Sequence, residues 1–167
     1  MELIKEIIID NPPTKYIDRK KTKVDPKTGK LKENTYYLTG NLFLNNQNYF
    51  IVSKIIRDTK NFLYDYFKDL PKLDKMRLEF VYTSNKSNFD LDNKGYFWQK
   101  VITDILKTPS TRQVINAMKK GKTIISCCII EDDMVKYIPE FSWRYKKGPD
   151  SLIVKIYGIK KEKNLFD

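Results

Sequence analysis

Apolar and polar positions divide the 167-residue chain into segments with two different periods. Leu3, Ile4, Ile7, Ile8 and Ile9 form a short apolar stretch closed by Asp10-Asn11-Pro12-Pro13, which predicts a strand and a turn. Tyr36 to Leu44 and Tyr49 to Val52 flank the polar turn Asn45 to Asn48 and read as extended. Ile55, Ile56, Thr59, Phe62, Leu63, Tyr66 and Phe67 then recur at the helical period, with Ser53 as the expected N-cap and Pro71 as the stop. Lys75 to Tyr82 alternates and predicts a half-buried strand. From about Asn93 to Lys107, the residues Phe97, Trp98, Val101, Ile102, Ile105 and Leu106 make the apolar stripe of a second helix. Thr108-Pro109 breaks it. Ser110-Thr111-Arg112-Gln113 is a capping-box pattern that opens a short third helix closing near Gly121. The apolar run Ile124 to Ile130 ends in Glu131-Asp132-Asp133, and Phe141 to Tyr145 and Ser151 to Tyr157 predict a terminal hairpin turned at Lys146 to Asp150. This order predicts a single α+β domain over 1–167, a mixed β-sheet with helices packed mainly on one face.

Charge changes the picture. Lysine and arginine number 32 against 21 acidic residues, a net charge of +11, with aromatic residues at 13%. That combination points to a polyanionic partner. The excess is uneven: within a basic loop or hairpin at about 15–35, the stretch from Lys15 to Lys32 carries Lys15, Arg19, Lys20, Lys21, Lys23, Lys27, Lys30 and Lys32, against only Asp18 and Asp25. A solvated basic loop explains the same composition. The segment has no amphipathic apolar face, which argues against a membrane surface. A further basic stretch, the short helix at about 108–123, brings Arg112, Lys119, Lys120 and Lys122.

The chain contains no histidine, which excludes Ser-His-Asp and Cys-His nucleophiles, imidazole acid–base catalysis and histidine-bound metals. Cys127 and Cys128 are adjacent, cannot bridge distant segments, and read as small buried residues in a reducing compartment. The opening residues are acidic and no apolar run reaches membrane length, so the expectation is a soluble, cytoplasmic protein with no membrane partner and no organic cofactor.

Any chemistry therefore falls to carboxylates, lysines, tyrosines or a metal held by oxygen. Asp90-Leu91-Asp92-Asn93 lies where a strand is predicted to end and a helix to begin. Alternate residues of extended chain face one side, so Asp90 and Asp92 can converge. Helix capping explains one of the two but not both. If 124–130 is a central strand, its end could deliver one carboxylate of Glu131-Asp132-Asp133 to the same place; a solvated turn or a cap is the simpler reading. Three carboxylates without imidazole suit Mg²⁺, with Mn²⁺ as a substitute, and on a basic surface they suit phosphodiester hydrolysis. Asn93, Lys100 and Asp104 share one polar stripe of the second helix, so Lys100 is either a phosphate-binding lysine or an i,i+4 partner of Asp104.

The ordered set Asp90-Leu91-Asp92-Asn93, then Lys100-Val101-Ile102-Thr103-Asp104-Ile105-Leu106, then Asp132-Asp133 resembles the RusA family of Holliday junction resolvases, common in phages and prophages. Asn11-Pro12-Pro13 and the segment from Lys147-Gly148 to Ile156 are similar to family features too. The resemblance implies a RusA-like fold and a homodimer that resolves four-way DNA junctions by paired nicks. It implies that Asp90, Asp92 and Asp133 hold the metal, with Asp132 an alternative to Asp133, and that Lys100 is the active-site lysine. The spacing from Asn93 to Lys100 exceeds the shortest family pattern by about one helical turn, roughly 6 Å, so Lys94 on the first turn is the alternative lysine. Lys15, Arg19, Lys20, Lys21, Lys23 and Lys94 are the expected DNA contacts. The competing reading is a non-catalytic basic DNA-binding protein in which the carboxylates serve as caps.

Overall fold

A computed structural model describes residues 1–44, 49–86 and 91–160. The elements follow the order β1 (Glu2–Asp10), β2 (Lys15–Val24), β3 (Leu31–Tyr37), α1 (Asn41–Leu44), α2 (Tyr49–Phe67), β4 (Leu73–Thr83), α3 (Leu91–Leu106), α4 (Thr111–Lys119), β5 (Glu140–Lys146) and β6 (Ser151–Lys160). They form a four-stranded mixed sheet in the order β1-β6-β4-β5 and a separate two-stranded ribbon of β2 and β3. The α+β class and the mixed sheet match the expectation from sequence.

β4 and β6 occupy the interior of the sheet, and in β4 Leu78 to Tyr82 are five consecutive buried residues. Met76, Leu78, Phe80 and Tyr82 point to one face and meet Leu152, Val154 and Ile156 of β6 in a single core with α2 and α3. The helices contribute Ile55, Leu63 and Phe67 from α2 and Phe97, Trp98, Val101, Ile102 and Ile105 from α3. On the opposite face of β4, Arg77 lies 4.1 Å from the Tyr157 ring and Glu79 pairs with Arg144 at 3.7 Å.

Four sequence expectations are corrected. The last two strands are no hairpin. β5 pairs with β4 in parallel and β6 pairs with β4 antiparallel, so β4 separates them and gains a partner on each edge. Residues 49–52 are helical rather than extended: α2 begins ahead of Ser53, and Ile51 joins Ile55 and Thr59 on its buried stripe. Residues 41–44 form α1, and Asn45 to Asn48 lie outside the described residues. The apolar run 124–130 is not a strand. Its amides cap α3 instead: Cys127 N–H donates to the Ile105 carbonyl at 2.7 Å and Ile129 N–H to that of Leu106 at 2.8 Å. Helix-end carbonyls lack intrahelical partners, so a buried C-terminus needs such donors.

The capping box at α4 forms as read. Gln113 N–H donates to Ser110 Oγ at 3.3 Å, and Ser110 N–H donates to Gln113 Oε1 at 2.9 Å. α3 lies close over β5. The Trp143 ring stacks on Phe80 with centroids 4.4 Å apart and planes 10° from parallel, and its Nε1–H donates to Gln99 Oε1 at 3.0 Å.

Candidate functional site

β4 and β5 run parallel and the chain between them includes α3. The carboxyl ends of both strands and the amino end of α3 therefore fall at one edge of the sheet, where open α/β units place their ligand crevices. Asp92 and Asn93 of the Asp-x-Asp-Asn motif open α3 at this edge. Asp90 lies outside the described residues. Asp92 is in the first turn of α3, and its side chain is not among those described. Asn93 is a clamp: its Oδ1 accepts the Asn41 N–H at 3.0 Å, and its carbonyl accepts the Gly40 N–H at 2.6 Å. This ties the start of α3 to the chain that follows the β2–β3 ribbon. A cavity of about 490 Å³ opens between them, lined by Asn34, Tyr36, Thr39, Asn41 and Asn93.

Three more segments reach the same edge. Ser84, just past β4, donates through Oγ to Asp150 Oδ1 at 2.6 Å, and Lys86 Nζ lies 4.0 Å from Asp150 Oδ2. Tyr145 OH donates to the Ser84 carbonyl at 2.6 Å. Asn11 N–H, at the head of the Asn-Pro-Pro loop, donates to the Asp150 carbonyl at 2.9 Å. Burial, with Asp150 nearby, pushes the Tyr82 hydroxyl up to about 12, so it stays protonated across the physiological range. Sequence reading missed Asp150, because an aspartate after Lys-Lys-Gly-Pro is an ordinary turn residue.

Asp133 and Lys100 belong to another cluster. Lys107 Nζ sits 3.1 Å from Asp133 Oδ2 and 3.2 Å from Asp104 Oδ1, and Lys100 Nζ donates to the same Asp104 oxygen at 3.1 Å. Lys60 Nζ reaches the Asp104 carbonyl at 3.4 Å. Asp104 is twelve residues beyond Asp92 on α3, about 18 Å along the axis at 1.5 Å per residue. The route imagined from sequence, a central strand carrying Asp133 to Asp92, is thus absent, since 124–130 wraps the far end of α3. Lys100 adopts the i,i+4 pairing with Asp104. Asp132 accepts the Asp133 N–H at 2.7 Å and stays on the same turn.

Burial opposes both charges of the Lys107–Asp133 pair. For Lys107 the Asp133 hydrogen bond and the nearby Asp104 outweigh it and hold the ammonium above its ordinary value; for Asp133 the Lys107 bond holds the carboxyl below its own. A carboxyl depressed in the folded state contributes stability that is whole above its unfolded value, about 3.9, and lost as pH falls through the folded one. Urea unfolding between pH 7 and pH 3 is therefore expected to lose less stability on acidification in Asp133→Asn than in the wild type. Equal acid limbs in both would assign the loss to other carboxylates.

The basic region is a hairpin rather than a loop: β2 pairs antiparallel with β3, with a register shift between Asp18 and Thr22. Lys15 is exposed on β2, whereas the side chains of Arg19, Lys20, Lys21 and Lys23 are not among those described. Lys94 is half-buried in the first turn of α3. Cys127 and Cys128 are half-buried rather than buried, and burial, with Cys128 beside it, raises the Cys127 thiol to about 11. Among the described residues no three acidic or thiol side chains group as a metal site, and no helix is long and apolar enough to cross a membrane. No family model, curated protein or solved structure matches the chain.

Proposed function

We propose that the chain is a Mg²⁺-dependent endodeoxyribonuclease of the RusA type, with Mn²⁺ as a substitute ion, which acts as a homodimer on four-way DNA junctions. One observation carries the reading: past the carboxyl end of β4, Ser84, Lys86 and Asn11 converge on Asp150, while at the amino end of α3, Asn93 holds Gly40 and Asn41 at the base of the basic ribbon.

The donor chemistry at this edge fits a hard divalent ion, since it offers carboxylate and hydroxyl oxygens and no imidazole or thiolate. Asp90 and Asp92 would hold the ion, with Asp150 rather than Asp133 as the further carboxylate. A bound ion would supply an activated water and offset charge on the leaving oxygen. Lys94, in the first turn of α3, would neutralise the scissile phosphate in place of Lys100, which lies six residues, about 9 Å, further along the helix. Lys15 and the basic ribbon carry the flanking backbone.

The test is cleavage of a mobile synthetic four-way junction, beside duplex and single-stranded controls, in Mg²⁺, Mn²⁺ or EDTA. Paired symmetric nicks that require the ion are the expected result. Junction binding without nicks under every condition would leave the second reading, a non-catalytic DNA-binding protein. That reading draws support from the ion pairs that occupy Asp133 and Lys100.

A further inference from the structure

We propose that a trough between α2 and the turn after α4 binds single-stranded DNA, on a surface separate from the Asp-x-Asp-Asn edge. Two cavities of about 390 and 460 Å³ adjoin there and share Tyr49, Lys60, Lys120, Lys122, Thr123 and Ile124. One wall is a helical face: Tyr49, Ser53, Ile56 and Lys60 recur every three or four residues along α2. The other wall depends on a single glycine. Gly121, at φ 58, takes the left-handed conformation that ends α4, and Lys122 N–H turns back to the Ala117 carbonyl at 2.9 Å. The reversal leaves both Lys120 and Lys122 on the trough.

The charge balance favours an anion. Lys54, Arg57, Lys60, Lys107, Lys120 and Lys122 line the two cavities, against the one carboxylate of Asp104, which Lys100 and Lys107 already share. Burial holds the Lys60 ammonium below its ordinary value; Asp104 partly offsets this, and Lys107 and Lys100 add to it. A phosphate beside Lys60 would relieve that repulsion. Tyr49 and Phe50 stand at the α2 end of the trough with 79% and 81% of their surfaces exposed. Flat rings beside a cationic track suit unpaired bases, which offer a stacking face with every phosphate, whereas the base faces of a duplex are already covered. A lipid surface would want a broad apolar face rather than a narrow cationic trough.

The proposal does not rest on the cleavage reading and is tested in EDTA, where any metal-dependent nuclease is silent. The probe is 5′-fluorescein-labelled dT20, read by anisotropy across a salt series. Blunt duplex and phosphatidylserine–phosphatidylcholine vesicles run in parallel, and each variant is checked by circular dichroism and melting. Tyr49→Ala/Phe50→Ala is expected to weaken dT20 binding about tenfold or more and duplex binding far less. Lys120→Ala/Lys122→Ala is expected to flatten the log–log salt slope by about 1.4, some 0.7 per lost phosphate contact on a single strand. Unchanged dT20 affinity in either folded variant would overturn the proposal. So would equal losses on dT20 and duplex from the aromatic pair. Vesicle binding that both variants abolish while dT20 binding persists would assign the trough to a lipid surface instead.

Discussion

Asp92→Asn and Asp150→Asn are each expected to lower metal-dependent junction cleavage by about a thousandfold or more, while Asp133→Asn stays within about threefold of the wild type. The size follows from the role: a metal ligand supports several kcal/mol of transition-state stabilisation, and each 1.4 kcal/mol is about tenfold in rate. Asparagine keeps the shape of aspartate and can still accept the Ser84 Oγ–H that Asp150 accepts, so the turn next to β4 should survive. What is lost is a negative charge beside phosphate, so junction binding should hold or tighten. Asp133→Asn instead weakens a largely buried ion pair, 19% and 29% exposed, whose other member, Lys107, keeps Asp104, so its cost falls on stability rather than on cleavage. Cleavage and binding by all three variants, measured side by side, separate the assignments. If Asp133→Asn abolished cleavage and Asp150→Asn did not, the roughly 18 Å between the start of α3 and Asp104 would exclude Asp133 of the same chain. The third carboxylate would then come from a second copy, and the assignment of Asp150 would fall.

The parts of this arrangement that could be read from the chain are those governed by local periodicity. The stripe Phe97, Trp98, Val101, Ile102, Ile105 and Leu106 fixes which face of α3 is buried, and Ser110 with Gln113 fixes where α4 begins, because both depend on neighbours a turn away. Misread segments are those whose partners are distant. Ile124, Ile125, Ile129 and Ile130 carry β-branched side chains and look like a strand, yet their backbone donors are consumed by the carbonyls that α3 leaves open at Ile105 and Leu106. The same applies to Tyr49, Phe50, Ile51 and Val52, strand formers by propensity. The burial of Ile51 and Ile55, one turn apart, makes them helical. β5 and β6 looked like a hairpin because they are close in sequence. No local signal announces that the apolar β4 must lie between them. Asp150 was invisible for the same reason: its significance comes from Ser84 and Asn11, far away along the chain.

Trp143→Ala is expected to cost about 3 kcal/mol, near the lower end for removing a large aromatic because the ring is only half-buried, and to lower the melting temperature by roughly 10 °C. The substitution removes the stack on Phe80 and leaves Gln99 without its indole donor. It should also reverse the sign of a second substitution. Gly95 faces the indole so closely that an added Cβ would lie 3.1, 3.2 and 3.3 Å from three ring atoms. The ring cannot withdraw, since Phe80 backs it 4.4 Å away and Gln99 holds its nitrogen. Overpacking of this kind costs about 1–3 kcal/mol, against about 1 kcal/mol that alanine gains over glycine inside a helix. Gly95→Ala should therefore destabilise the wild-type chain. With Trp143→Ala beside it the steric cost disappears and the helix preference remains, so the same change should stabilise by about 1 kcal/mol. Melting and urea unfolding of the four proteins in this cycle measure the coupling directly. A Gly95→Ala effect of the same sign and size in both backgrounds would mean that the indole does not press on α3, and that the glycine is there for another reason.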